Sequence, residues 1–502
     1  MPISKIKGNA IEDDAITSAR LDDGTIVAVD LASDSVTTAK IADGAVTAVK
    51  LDAAAVTPAA VSDTDNTSTG QFTLPAGTTA QRPVTSYTGA QRYNTDLSVM
   101  EYYNGTGWFK ISADQAVLDS ISGTLFAGAA SNLTLTGESF LTDDITVNFS
   151  QSSDGIDEDV VVTASSDTSA TVAVPAAVYN NVTAGNAVTI TVTNADQTTS
   201  AGVTTTAGTL PSGGTVTTSS NYRIHTFNSS GTFQTNSFAG NVEYLVLAGG
   251  GGGGIQHAGG GGAGGYRTNV SGQTSGGGAS AESSYSVTAS QNITVTVGAG
   301  GSGVTTLGSF GGLVGTSGSN SVFGSITSLG GGGGSSMDSP NVSGAGGGSG
   351  GGSALDGTGG SGSSPGGAGT SGQGYAGGDY NGYSGTNYGG GSGGGGAGAV
   401  GEDAPTAGIE AGDGGAGQSS NITGSSVTRG GGGGGGSHNP FTAGSGGTGG
   451  GGDGGTGNVA PAAVGGNATV NLGGGGGGSG SNDTVGGNGS SGVVIVRYDT
   501  TA

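Results

Sequence analysis

The stretch Val242-Glu243-Tyr244-Leu245-Val246-Leu247-Ala248 is followed without interruption by six glycines, Gly249–Gly254. The first part has the β-branched and aromatic residues typical of a buried strand, and the second part has no side chains. The same plan recurs where runs 322–329, 422–429 and 468–472 lead into Gly330–Gly334, Gly430–Gly436 and Gly473–Gly478. An isolated glycine run is a flexible linker, but repeated runs that are joined to strands favour a packed array.

Such an array has a simple physical basis. Glycine chains in a polyproline II conformation make no internal hydrogen bonds, so their N–H and C=O groups can bond laterally to neighbouring chains. Ordering glycine costs much conformational entropy, so many chains must pack at once. We therefore expect residues 208–502 to be a polyglycine II helix and β array, closed by the strand Val493–Tyr498. A Gly→Val change within 473–478 should be far more damaging than one in a loop.

Composition separates this region from the rest of the chain. Of the 115 glycines in 502 residues, 14 lie in residues 1–207.

The net charge of −24, with four basic residues after Lys110, argues against a nucleic-acid partner. The absence of Cys excludes disulfides and cysteine-based metal sites. The N-terminus has no apolar signal segment and no window has 18 consecutive apolar residues, so we expect neither signal-dependent export nor membrane insertion.

Residues 1–66 repeat every ten residues. One apolar series is Ile16, Ile26, Val36, Val46 and Val56, and a second series, offset by five, is Leu21, Leu31, Ile41, Leu51 and Val61. One such unit cannot bury its own apolar pair, so the repeats must stack or associate. We favour a narrow shaft built from several parallel copies of the chain, and a monomeric linker of biased composition is the alternative.

Residues 67–112 form a small β cassette with the single Trp of the chain. Alternation in Val99/Glu101/Tyr103 and Trp108/Lys110, joined by Asn104-Gly105, predicts a β-hairpin. Trp108 and the tyrosines near it are either the core of this unit or a sugar-binding platform, and the core is the favoured interpretation.

Residues 113–207 predict a β-sandwich. Its strand-like runs are 132–136, 145–149, 160–164, 170–174 and 187–193, and they are separated by turn residues. The acidic loop Asp154–Asp159 offers oxygen ligands suited to calcium but lacks the full EF-hand spacing, so a calcium site there stays open.

Three parts of the chain resemble known families. The repeats, followed by Arg82-Pro83, Arg92-Tyr93-Asn94-Thr95 and Glu101-Tyr102-Tyr103-Asn104-Gly105, resemble tail-fibre and other virion proteins of bacteriophages, marine cyanophages above all. Leu133–Phe140 and Ile190–Asn194 resemble the immunoglobulin-like IPT/TIG family. Tyr222–Phe233 and Tyr244–Gly249 resemble the opening of phage adhesin domains that fold as polyglycine II sandwiches.

These resemblances imply a homotrimeric virion fibre that is attached to other tail or baseplate proteins through its N-terminus. They also imply that loops of the glycine-rich head bind a host surface glycan or outer-membrane protein. The candidate receptor-binding residues are the non-glycine inserts His257, Met337, Asp338, Tyr375, Asp379, Tyr380, Tyr383, Tyr388, His438 and Phe441. Tyrosine suits such a surface because it makes rigid, amphipathic contacts at low entropy cost. Alternatively, these tyrosines cover the edges of the array.

Catalysis finds little support in the sequence. Gly-x-Ser-x-Gly and Gly-x-Gly-x-x-Gly matches carry no information in a chain so rich in Gly and Ser. We expect no enzymatic activity and no cofactor. The alternatives to receptor binding are a purely structural virion spike, a host-cell surface or matrix protein, which the missing export signal disfavours, and, less favoured, a glycan depolymerase with paired carboxylates.

Overall fold

The computed structural model divides the chain into two compact units, Met1–Ala76 and Gly77–Ala502. The structure describes residues 74–84, 86–111, 115–140, 144–195, 198–306, 313–337, 342–354, 362–382, 389–405, 410–457, 464–480 and 484–501, with Val27, Asp30, Ala32 and Ser33 as isolated positions. The predicted shaft repeats of residues 1–66 therefore lie almost wholly outside the described residues. The described part is mainly β, as expected.

The cassette is a four-stranded sheet in the order β1-β2-β3-β4. The strands are β1 (Ala76–Gly77), β2 (Gln91–Asn94), β3 (Val99–Tyr103) and β4 (Trp108–Ile111). The predicted hairpin is present, with Tyr103 opposite Trp108. The side-chain oxygen of Asn104 accepts the N–H groups of Thr106 and Gly107 and so closes the turn. Trp108 packs beside Tyr103, with ring centroids 5.6 Å apart, and both side chains are half-buried.

Residues 117–206 form two antiparallel sheets around one apolar core. The strands are β5 (Val117–Ser122), β6 (Asn132–Glu138), β7 (Asp144–Gln151), β8 (Ile156–Thr163), β9 (Ser169–Ala173), β10 (Ala187–Thr193) and β11 (Val203–Thr206), with a short helix α1 (Ala176–Tyr179). One sheet has the order β5-β6-β9 and the other β11-β10-β7-β8. Alternate residues such as Leu133, Leu135, Val147 and Phe149 are fully buried because successive strand residues point to opposite faces. All five predicted strands are observed.

The head, residues 208–501, begins and ends in strands. They are β12 (Thr215–Ser219), β13 (Tyr222–Phe227), β14 (Gly231–Gln234), β15 (Gly240–Leu247), β16 (Tyr266–Thr268), β17 (Tyr285–Val287), β18 (Asn292–Thr296), β19 (Ser321–Phe323), β20 (Ile326–Ser328), β21 (Gln418–Ser420), β22 (Val427–Arg429), β23 (Ser437–His438), β24 (Thr456–Gly457) and β25 (Val493–Asp499). One sheet has the order β12-β13-β25-β15-β16, with β17 also paired to β15, and a second has β14-β18-β19-β20. Phe233, Tyr244, Phe323 and Tyr498 join both sheets in one buried cluster.

The glycine run that follows β15 bonds laterally to its neighbours with a period of three. Its N–H groups donate in turn to three different segments, at 2.8 to 3.1 Å: 249 to Ser319, 250 to Ser490, 251 to Gly262, 252 to Thr316, 253 to Gly487 and 254 to Gly259. Three residues per turn is the repeat of the polyproline II helix. The partner numbers fall as the run advances, so these three neighbours are antiparallel to it.

Three further segments donate to the carbonyl groups of the same run. They do so from Gly331 and Gly334, from Gly301 and Val304, and from Gly476 and Ser479. Their numbers rise with those of the run, so these neighbours are parallel to it. The run is thus enclosed by six segments, and its backbone donors and acceptors are paired without any side chain.

Close packing explains why the run is glycine. A Cβ atom added to Gly250, Gly253 or Gly261 would overlap the carbonyl oxygen of Gly474, Gly477 or Gly251, respectively. These atoms belong to backbone that is held by its own hydrogen bonds and cannot move aside. Glycine at these positions is therefore a packing requirement.

Three of the predicted strand runs differ from the structure. Residues 322–329 form a hairpin of two strands, β19 and β20, because Gly324 adopts a φ of 58° between them. The strand expected at 468–472 is replaced by a turn at 470–473, in which Asn471 has a φ of 59°. Of 422–429, only Val427–Arg429 is a strand. A reversal of the chain at 470–473 is needed because the glycine segments on its two sides run in opposite directions.

Candidate functional site

The array has two different ends. We call the end at Ala248, where the run joins β15, the sheet end, and the end at Gly254 the loop end. Successive segments alternate in direction. The connections whose described flanking residues lie at the loop end are 255–258, 305–314, 336–343, 354–365, 380–390, 405–411, 437–443, 458–464 and 480–485. The connections at the sheet end are the long stretch that contains β16, β17 and β18, the hairpins β19–β20 and β21–β22, and tight turns.

The connection 255–258 lies at the centre of the loop end. Its N–H groups bond to the hydroxyl oxygens of Ser336, in the connection 336–343, and of Ser479, which immediately precedes the connection 480–485. His257 reaches a third, since its Nδ1 is 2.9 Å from the carbonyl oxygen of Gly389. Its ring also stacks on that of His438, in a fourth, with centroids 5.2 Å apart.

Burial controls the ionisation of His257. The side chain is only 5% exposed. Burial, together with repulsion from His438, lowers the pKa of His257 to about 4 despite its bond to Gly389. The ring is therefore neutral near pH 7, with the Nδ1 proton donated to the carbonyl oxygen. His257 lies inside the loop end and links its connections to one another, whereas half-buried His438 lies nearer the surface.

Tyr380 is likewise buried. It is 3% exposed and packs with Ala404 and the half-buried Met337. Its backbone exchanges two hydrogen bonds of 2.8 Å with Ser364. A residue in this position supports the structure of the loop end and offers little surface for a receptor. This fits the alternative in which the tyrosines cover the edges of the array.

The structure does not bring the tyrosine candidates together. Tyr375 is half-buried near the sheet end, where its N–H bonds to Gly396 and a Cβ on Gly278 would be 2.8 Å from its hydroxyl oxygen. Tyr380 lies five residues further along the same segment, which runs toward the loop end. The two tyrosines are therefore about 15 Å apart along the axis of the array. Tyr383, Tyr388 and Asp338 lie outside the described residues.

The exposed part of the loop end is mostly polar, although Val464 and Val485 are also exposed there. Asn381, Asn439, Pro440 and Thr442 are exposed there, and Phe441 is half-buried beside them. Asn381, Asn439 and Pro440 belong to the inserts that the sequence marks as candidates, whereas Thr442 was not singled out, because nothing in the composition distinguishes it from other Thr residues. Their one common feature is position, in the inserts between glycine runs.

Carboxylates line the sides of the array. Asp379, Asp403 and Asp413 accept the N–H groups of Gly366, Asp379 and Ser445 at 2.6 to 2.8 Å, in place of a neighbouring carbonyl. Glu402 and Asp453 accept those of Asp413 and Gly446 in the same manner. All five carboxylates are exposed. Asp379, predicted as a receptor contact, therefore also has a structural task, and isolated acids within glycine runs are the sequence signal of this arrangement.

The positive charges of the head lie in its strands. Its four basic residues, Arg223, Arg267, Arg429 and Arg497, belong to β13, β16, β22 and β25. Arg267 and Arg497 pair with Glu282 and Glu243, both at 2.6 Å. The loop end thus has no Lys or Arg to offset its acids.

No metal site is apparent among the described residues, where no group of three or more His, Cys, Asp or Glu is arranged to hold an ion. In the Asp154–Asp159 loop, the carboxylate of Asp154 already accepts bonds from Thr183 and Asn186, which hold its pKa below the usual value. Within the described part of the chain, the helices are too short and too polar to traverse a bilayer.

The fold and this site define a class: a mainly β protein with a polyglycine II-type head that gathers its connections at one end. The chain belongs to the glycine-rich domain family, whose model matches residues 226–499. The match starts within β13 and ends at the last residue of β25, so strands and array together form the family unit. No curated protein matches the chain, and no solved structure does.

Proposed function

We propose that this chain is a homotrimeric virion fibre protein of a bacteriophage. Its N-terminus attaches to tail or baseplate proteins, and the loop end of its head binds a receptor on the host surface. The protein works outside the host cell, as part of the tail. The IPT/TIG-like sandwich acts as a spacer in this proposal.

One observation carries the proposal. The loop-end connections lie on a glycine platform, at the end opposite to the strands that join the sandwich. Phe126 of the sandwich packs on Phe238 of the head, with centroids 6.4 Å apart, and Asn132 bonds to Thr501. A receptor-binding surface needs exposed side chains of several kinds on a rigid support, and this arrangement supplies both.

The charges favour a particular class of receptor. Asp379 and Glu410 are exposed at or near the loop end, which has no Lys or Arg. A strongly anionic polymer would be repelled by this surface. A neutral glycan or an outer-membrane protein fits the exposed Asn and Thr side chains through hydrogen bonds.

Cell binding by the purified chain tests the proposal. The variant Val161→Cys places the only thiol of the chain on the sandwich, at a site that is 64% exposed, and allows a fluorescent label there. Binding to a panel of bacteria, cyanobacteria included, should be saturable for at least one strain. The triple variant Asn381→Ala, Asn439→Ala, Thr442→Ala should reduce it at least tenfold.

The matched control is Thr217→Ala with Thr218→Ala, which removes exposed polar side chains from β12, remote from the loop end. It should leave binding unchanged. An equal loss of cell binding in both variants, or the absence of any strain that binds the protein, contradicts receptor recognition and favours a structural spike. The burial of Tyr380 and His257 would also suit a structural spike. Release of soluble sugar fragments would instead indicate a depolymerase.

A further inference from the structure

The cassette sheet has two unlike faces. Directly opposed residues of adjacent strands share a face, and the register aligns Arg92, Glu101 and Lys110 on one side. The next aligned set, on the other side, is Tyr93, Met100 and Ile111. The alignment of Gln91, Tyr102 and Phe109 extends this second side, which we call the open face.

The covered face is built around charge. Glu101 is fully buried, and its carboxylate is 2.7 Å from Arg82 and 3.3 Å from Arg92. Burial alone would raise the pKa of Glu101, but the bonds from Arg82 and Asn94 hold it below its usual value. A buried ion cluster contributes little net stability, because desolvation of its charges offsets their attraction.

The open face is apolar and uncovered. Tyr93, Met100, Tyr102 and Ile111 are 37 to 39% exposed, and Phe109 packs beside Tyr102 with centroids 6.1 Å apart. None of the six open-face residues is charged. The sheet therefore buries its charges and exposes its apolar side chains, the reverse of a stable isolated sheet.

We propose that the open face packs against the open faces of other copies of this chain. The proposal rests on the homotrimer of the proposed function. In the proposed homotrimer the repeats of residues 16–61 associate and so bury their apolar pairs, and only residues 62–75 separate Val61 from the first cassette strand, β1. Parallel association of the repeats would hold identical open faces at high effective concentration.

Charge also favours a second copy as the occupant. A chain with a net charge of −24 repels its own copies wherever acids meet. Identical copies can meet at an uncharged face without that repulsion. A different protein with positive charges would find no complementary charge on this face.

Crosslinking of single-cysteine variants tests the inference on the full chain. Because the chain has no Cys, Met100→Cys supplies one thiol on the open face, and Val161→Cys supplies one on the sandwich. With a short bis-maleimide, Met100→Cys should yield two-chain products in high proportion, and Val161→Cys should not. Light scattering on the same samples should give the mass of three chains.

The two proposals fail in different ways. A trimeric mass without crosslinks at residue 100 overturns the open-face interface and leaves the fibre proposal intact. A monomeric mass at micromolar concentration overturns the homotrimer and, with it, the interface.

A charge variant gives a second readout. Met100→Glu with Tyr102→Glu should raise the concentration at which the trimer dissociates at least tenfold, while circular dichroism stays unchanged. Tyr87→Glu, at a loop position that is 92% exposed, should leave that concentration unchanged. An unchanged dissociation concentration in the double variant contradicts the interface.

Discussion

Gly475 and Gly261 lie so close together that a methyl group on Gly475 would overlap the carbonyl oxygen of Gly261. The same carbonyl accepts the N–H of Gly433 at 2.8 Å, and the N–H of Gly261 donates to Gly476 at 2.8 Å. Three glycine runs that are distant in the sequence thus meet at this point, and each fixes the position of the other two.

Substitution of Gly475 by Ala should therefore be severe. Overpacking of a well-packed core typically costs about 1–3 kcal/mol, and here the obstacle is hydrogen-bonded backbone, so we expect a loss of about 3 kcal/mol or more in unfolding free energy. Gly231→Ala is the control, because a Cβ there meets only ring atoms of Phe227 at 3.7 Å. Similar denaturation midpoints for the two variants would contradict the close-packed array.

The carboxylates on the sides of the array should stabilise the head through hydrogen bonding and not through their charge. Asp413→Ala removes the acceptor for the Ser445 N–H, and we expect a loss of about 1 kcal/mol in unfolding free energy. Asp413→Asn keeps an oxygen acceptor and removes one charge from an acidic side, so its stability should equal or exceed that of the wild type. Both are measured by chemical denaturation, and an equal loss in the two variants would refute this account.

Acid should destabilise the loop end through His257. Its pKa is about 4 in the folded protein, against about 6.5 when unfolded, so between these values the unfolded chain binds more protons. Stability should therefore decline as the pH falls from about 6.5 to 4, by about 3 kcal/mol in total from this group.

His257→Asn isolates that contribution. Asn tolerates the φ of 43° at this position, can donate to Gly389 and does not titrate. The variant should lose the His257 part of the pH dependence of unfolding. A wild-type slope that persists in the variant would show that other groups cause it.

Tyr380→Ala should act through folding. Truncation of a buried aromatic side chain costs about 3–5 kcal/mol, so this variant should melt at a lower temperature than the wild type. Asn439→Ala, at an exposed position, should melt as the wild type does. If Tyr380→Ala changed cell binding without changing the melting temperature, Tyr380 would be a direct receptor contact after all.

Local sequence patterns were sufficient for much of the fold. The runs 132–136 and 145–149 alternate apolar and polar residues, so they could be assigned to strands without knowledge of their partners. The run 468–472 has similar composition, yet it lies where the array needs a reversal, and that need arises from segments elsewhere in the chain.

The candidate site depended far more on tertiary structure. Tyr375 and Tyr380 are close in sequence but lie toward opposite ends of the array, since an extended glycine helix rises steeply with each residue. His257 and His438 are distant in sequence but stack, because their connections leave neighbouring segments at the same end. No spacing rule in the sequence expresses either relationship.

The sequence by itself determined that the head is a glycine array, because only a backbone without Cβ atoms can pack and bond laterally at these distances. Only the tertiary structure decided which inserts share a surface. The direction of each glycine segment depends on the neighbours to which it bonds, and glycine, having no side chain, carries no local preference that would reveal those neighbours.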